Sequence, residues 1–370
     1  MKILMLNYEF PPLGGGAATV TYNLAKELVR QGHEIDVVTM HYKGLKKVED
    51  SDGIRIYRVR CLRKKQEICY TKEMFTYVIS AFLFTLKLTR KKNYDIVHCH
   101  FIIPTGIVAY LLKKFRGLPY ITTSHGSDIQ GYNPERFKLQ HKLIKTIWRT
   151  VAQNASRVTA VSNSLKSLIL ESSDIDNISV IYNGQDVNSD IVEKTEKSIL
   201  LVSRILERKG FQYFLYAIKD LDLHEWEINI VGDGPYLEML KKIAKDFDLP
   251  VKFLGYKRGK ELEEIYRRSS IFVFPSAREA FPVVLLEALS YGCAIITTDI
   301  ASCREVVGDS ALFVRTESPE DIREALEKLL NDPKLRYGLG SKAIERVKQF
   351  SWAHIAFEYN KVYADQYRVR

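Results

Sequence analysis

Apolar and polar positions alternate along the chain in two rhythms. Short apolar runs of the kind that buried strands show occur at 2–7, 34–39, 54–59, 95–100, 119–124, 157–162, 179–182, 198–203, 227–231, 251–254, 271–274 and 293–297. Between them apolar positions fall about one helical turn apart, as at Val20, Leu24 and Leu28. Strands alternating with helices predict an α/β chain with parallel sheets. Glycine-rich or charged loops repeatedly follow the strands, and in a parallel sheet the C-terminal strand ends share one rim. Arg204, Lys209, the Gly232–Gly234 turn, Glu279 and Glu287 are therefore expected along one edge.

The stretch 271–298 concentrates the candidate chemistry. An apolar run ends at Pro275 and Ser276, a loop carries Arg278, Glu279 and Ala280, and Pro282 is expected to open a helix, being preset for the first turn. Glu279 then sits at the mouth of this strand–loop–helix unit, and Glu287, eight positions on, projects from the helix. The N–H groups of Phe281, Val283 and Val284 lie between them, and free N–H groups with the helix dipole form an anion site. Carboxylates accept hydrogen bonds from hydroxyls, so a ligand with both negative charge and hydroxyls fits, such as a nucleotide sugar. An N-terminal charge and a solvent-facing Glu would give the same pattern without function.

Other segments are less specific. Gly14, Gly15 and Gly16 follow the first strand and precede a helix, without the spacing of a dinucleotide fingerprint. His125 comes just past a strand, followed by Gly126. Residues 74–86 are uncharged but number only 13, short of the roughly 20 that a membrane span needs. They read as a buried helix of the first domain; a helix partly facing lipid is the alternative, because Lys87, Arg90, Lys91 and Lys92 follow. Residues 136–149 read as a basic amphipathic helix and 186–197 as an interdomain linker.

Composition bounds these readings. The length of 370 residues, 46% hydrophobic and 27% charged, favours two soluble domains. Five scattered cysteines suggest neither a disulfide framework nor a zinc site, and point to a reducing cytoplasm. The net charge of +10 is uneven: residues 1–150 carry 25 Lys and Arg against 12 Asp and Glu, the remainder 30 against 33. An excess confined to the N-terminal half points to an anionic partner.

Taken together, GGG after the first strand, HGSD at 125–128, YNGQD at 182–186, SRILERKG at 203–210, VGDGP at 231–235 and Glu279-x7-Glu287 resemble glycosyltransferase family 4, in order and over nearly the whole chain. The resemblance implies the GT-B architecture: two facing Rossmann-like domains with a deep interdomain cleft. The N-terminal acceptor-side domain would span 1–186 and the nucleotide-sugar domain 187–350, with the last helix, about 351–370, a candidate to pack back on the first domain. It implies a retaining transferase that moves a hexosyl group from a UDP- or GDP-linked donor to a glycan, lipid-linked or other small acceptor. No metal is expected.

By the same resemblance Arg204 and Lys209 hold the diphosphate, Glu287 the ribose and Glu279 the donor sugar. Gly15 and Gly16 would close on the phosphates, with His125 beside the transferred sugar. Gly232, Gly234, Tyr256, Ala280, Phe281 and Val283 complete the nucleotide-side candidates. Two positions depart from the family pattern: Ala280 stands where Gly is usual, and Gln185 where Val is common. A nucleotide-sugar epimerase, a glycan phosphorylase and a nucleic-acid binder are the competing readings, and the last lacks any recognisable binding module. An acceptor at an anionic membrane surface accounts better for the charge, with a peripheral position on the inner face of the cell membrane a further candidate.

Overall fold

The structure, a computed structural model, describes residues 1–66, 69–129, 141–187 and 197–368. The chain divides into two compact units, Met1–Gly184 with Trp352–Arg370, and Gln185–Ser351. The expected linker at 186–197 and the first turn of the helix expected at 136–149 fall largely outside the described residues.

The first unit runs β1 (Lys2–Leu6), α1 (Gly16–Arg30), β2 (Glu34–Met40), β3 (Val48–Ser51), β4 (Ile54–Val59), α2 (Thr71–Lys91), β5 (Ile96–His100), α3 (Thr105–Arg116), β6 (Tyr120–Ser124), α4 (His141–Asn154), β7 (Arg157–Ala160), α5 (Asn163–Ser172) and β8 (Ile178–Val180). Its sheet has the order β3-β4-β2-β1-β5-β6-β7-β8. All pairs are parallel except β3 with β4, an antiparallel edge that the apolar pattern did not signal because β3 is the polar run VEDS. The chain starts at β1, winds outward to β4, then returns to β5 beside β1 and winds the other way. The topological switch point therefore lies between β1 and β5, where open α/β sheets leave a crevice at their C-terminal ends.

The second unit repeats the plan with β9 (Ser198–Val202), α6 (Phe211–Ile218), β10 (Glu227–Val231), α7 (Leu237–Asp246), β11 (Val251–Gly255), α8 (Lys260–Arg268), β12 (Ile271–Phe274), α9 (Val283–Ser290), β13 (Ala294–Thr298), α10 (Ala301–Val307), β14 (Ala311–Val314), α11 (Pro319–Asn331) and α12 (Pro333–Val347). The order β11-β10-β9-β12-β13-β14 puts its switch point between β9 and β12. β9, β12 and β13 are buried throughout, as strands covered on both faces must be. Helix starts are set locally: the Ser318 hydroxyl accepts the Asp321 N–H ahead of Pro319, and Asp332 accepts that of Leu335 ahead of Pro333.

The last helix, α13 (Trp352–Arg368), belongs to the first unit. There the Tyr359 and Tyr363 hydroxyls reach Thr123 (3.0 Å) and His98 Nδ1 (2.7 Å). Gly184 of YNGQD has a packing reason: a Cβ there would lie 2.4 Å from the Trp352 ring.

The reading of 74–86 as wholly buried is corrected. In α2 one face (Tyr77, Ala81, Thr85, Leu88) is core, whereas Phe75, Ile79 and Leu83 stand 67%, 47% and 54% exposed.

Candidate active site

In the second unit the loops leaving β9 and β12 meet across the switch point. The Ala277 N–H donates to the Arg208 carbonyl at 2.9 Å, and the Arg208 guanidinium to the Arg278 carbonyl at 2.7 Å. Between these ties Lys209 Nζ lies 2.5 Å from Glu279 Oε1, and the Ser276 hydroxyl donates to the same oxygen at 2.5 Å. Both charged side chains are almost buried, at 11% and 8% exposure, with the ammonium over the Phe274 ring. Arg204 is exposed on the same loop, and its side chain has no partner among the described residues.

Two glycines hold that loop in place. Gly232, at φ +139°, lies where a Cβ would meet the Ser203 carbonyl oxygen at 1.8 Å, and at Gly234 a Cβ would meet that of Ile205 at 2.1 Å. Only glycine permits so close an approach. Tyr256, just past β11, is 67% exposed.

Beyond Glu279 the backbone passes buried Ala280 and Phe281 into α9. Pro282 is the residue before the helix, with ψ of 96°, and Val283 is the first helical residue, a shift of one position from expectation. The N–H groups of Val283 and Val284 have no partner among the described residues, as the first turn of a helix leaves them. Glu287 stands one turn further on. Burial pushes its carboxyl up to about 7, opposed by the Tyr266 hydroxyl, which donates to it at 2.8 Å.

In the first unit Gly15 caps α1 and Gly16 opens it, and the space where a Cβ of either would point is empty. His125 is half-buried just beyond β6. Its Nε2 lies 3.1 Å from His100 Nδ1, and the two rings are stacked. Asp128 explains the rest of HGSD: its carboxylate accepts the Ile102 N–H at 2.7 Å and the Ser124 hydroxyl at 2.9 Å, tying the turn after β5 to the turn that carries His125. Burial raises the Asp128 carboxyl to about 6 and lowers the His125 imidazole to about 3.

Two family models match this architecture in sequence. Residues 14–189 match the model described as Glycosyltransferase Family 4, and residues 185–346 the one described as Glycosyl transferases group 1. The chain belongs to the family 4 glycosyltransferases. An uncharacterised glycosyltransferase of Methanocaldococcus jannaschii is 29% identical, with 98% of each chain covered. Among solved structures, sucrose-phosphate synthase from Thermosynechococcus elongatus has a TM-score of 0.85 at 19% identity over the whole of both chains. The Anabaena HepE protein, solved with UDP-glucose, has a TM-score of 0.77 at 17% identity over 99% of this chain and 100% of its own. These likenesses give the glycosyltransferase the GT-B fold.

For this transferase the structure brings together Lys209 with Glu279, and Glu287 with the start of α9. Sequence reasoning missed three partners: Ser276, Tyr266 and His100. Ser276 and His100 had a signal in their position at strand ends, while Tyr266 had none because it meets Glu287 only through packing. The chain also contains Asp-x-Asp triplets, an acidic pattern able to hold a metal ion, at Asp50–Asp52, Asp174–Asp176, Asp220–Asp222 and Asp246–Asp248. None lies in the loops after β9 or β12: the first is at the β3–β4 turn, the next two follow α5 and α6, and the last begins at the final residue of α7.

Proposed function

We propose that this family 4 enzyme transfers a hexosyl group, with retention of configuration, from a nucleoside diphosphate sugar to a hydroxyl acceptor. The observation that carries the proposal is the buried Lys209–Glu279 pair at the β9/β12 switch point, one loop away from the unpaired N–H groups of α9. A charge pair this far from water is expensive to maintain as a fold element, and is more useful as a preorganised site. In this reading Arg204, Lys209 and the α9 start take up the charge growing on the leaving diphosphate, with no metal required. Glu279 accepts from hydroxyls of the donor sugar, Glu287 from those of the ribose, and Tyr256, Phe281 and Val283 border the nucleotide. His125, Gly15 and Gly16 contribute from the first unit.

The bond from the anomeric carbon to the phosphate oxygen breaks, and one to the acceptor oxygen forms on the same face. The acceptor proton passes to the departing phosphate. UDP is the favoured nucleotide, since the HepE relative binds UDP-glucose; GDP is the alternative.

The acceptor is anionic or lipid-linked, in keeping with the basic first unit. Among the described residues no helix is long and apolar enough to cross a membrane. The exposed Phe75, Ile79 and Leu83 of α2, with Phe115 of α3 and the flanking Lys72, Lys87, Arg90, Lys113 and Lys114, suit an anionic bilayer.

The test is incubation of nucleotide sugars with and without a panel of glycan, polyol-phosphate and lipid-phosphate acceptors, in the presence of a chelator, with the anomeric configuration of any product read by NMR. An α-linked product from an α-linked donor, formed only with acceptor, supports the proposal. An inverted product, or epimerised donor without acceptor, refutes it.

A further inference from the structure

Behind His125 stands a second histidine with no assigned role. His100 ends β5 and is fully buried, and its ring is stacked between those of His98 (4.4 Å) and His125 (5.3 Å). His98 is satisfied at both nitrogens, by Tyr363 and by Thr123 at 2.8 Å. His100 is satisfied at one: Nδ1 meets His125 Nε2, while Nε2 is buried without a partner among the described residues. Burial holds both His100 and His125 neutral, so each ring carries one N–H and a single proton lies between them.

Only two arrangements exist. If His125 donated from Nε2, the proton of His100 would sit on Nε2, a buried N–H with nothing to accept it. If His100 donates from Nδ1, the unpaired atom is a bare ring nitrogen, and His125 carries its proton on Nδ1. A stranded buried N–H is the rarer outcome in folded proteins. The nitrogen opposite a hydrogen-bonded one is what a histidine offers to its ligand.

We propose that His100 is a positioning residue that fixes the tautomer of His125, so that His125 presents an Nδ1–H donor to an oxygen of the transferred sugar and not a base to the acceptor hydroxyl. The inference rests on the reading of His125 as the residue beside that sugar. It agrees with passage of the acceptor proton to the leaving phosphate, because this histidine has no free lone pair on its outward nitrogen.

The test uses the full chain labelled with ¹⁵N-histidine, the His125 signals being assigned by their loss in His125→Ala. Long-range ¹H–¹⁵N correlation is expected to show Nδ1 protonated and Nε2 bare. In His100→Phe, which keeps the stacked ring but removes the donor, His125 is expected to populate both tautomers, and kcat to fall about tenfold with little change in KM. His100→Asn, whose amide nitrogen takes the place of Nδ1, should restore both the tautomer and most of the activity. A parent spectrum with His125 protonated at Nε2 overturns the proposal, as does His100→Phe with tautomer and turnover unchanged. If His100→Phe does not fold, the parent spectrum and His100→Asn decide. If His125→Ala is fully active although the Nδ1–H tautomer is observed, the positioning stands and the sugar contact of His125 falls.

Discussion

At the scale of single residues, the nearly dry Lys209–Glu279 pair should be the most sensitive point in the second unit. Glu279→Gln and Lys209→Met should each lower turnover about 100-fold, because each removes a group proposed to meet charge or hydroxyls of the donor. Circular dichroism should show both still folded. Lys209→Met alone should cost about 3 kcal/mol in urea unfolding, having left a buried carboxylate unpaired, and the double variant should recover part of that. Glu287 behaves differently. Its carboxyl is raised from an ordinary 4.5 to about 7 by burial, so between those pH values the folded chain holds a proton that the unfolded chain releases. Stability is therefore lost as pH rises from about 4.5 to 7 and is level above. Glu287→Gln escapes this loss and should match the parent near pH 4.5, but exceed it by up to about 3 kcal/mol at pH 8. An equal difference at both pH values would show that burial does not hold the proton. Residue types and spacing made Glu279, Glu287, Lys209 and Arg204 legible as candidates. They could not disclose that Lys209 and Glu279 touch, since 70 positions separate them and only the sheet order brings their loops together.

At the scale of elements, strands were legible where runs such as IFVF are buried on both faces, and illegible where, as in β3, an edge strand is polar. Ends were read less well because caps and turns set them: Pro282 stays outside α9 although its ring suits the first turn. The glycine-rich turn Gly232–Pro235 was legible as a turn, but its reason is the backbone of the Arg204 loop pressed against it. Gly232→Ala should drive its methyl into the Ser203 carbonyl, cost about 2–4 kcal/mol in thermal or urea unfolding, and weaken nucleotide binding by moving Arg204. A variant of parental stability would remove that explanation of the glycine. For α2, the sequence showed an apolar segment with a basic end, but not which face lies inward. Phe75→Ser with Leu83→Ser should leave unfolding nearly unchanged, both side chains being exposed, and should abolish cosedimentation with phosphatidylglycerol vesicles at low salt. Binding that persists in the double variant would show that the exposed apolar face of α2 does not hold the bilayer.

At the scale of the molecule, each unit is a doubly wound sheet whose candidate residues follow strands at or beside its switch point: β1, β5 and β6 in the first, β9 and β12 with the neighbouring β10 and β11 in the second. This much followed from alternation of strands and helices, because parallel strands put their C-terminal loops on one rim. The acceptor was not legible, because recognition of an acceptor depends on side chains whose grouping no local motif records. The second unit is proposed to grip a diphosphate with its own cations and helix amides. Calorimetric titration of the full chain with UDP and GDP in EDTA tests it most directly. One of them is expected to bind without added metal, and Lys209→Met or Arg204→Ala to weaken that binding at least about tenfold. Absence of binding by both nucleotides, or equal affinity in the two variants and the parent, would contradict it.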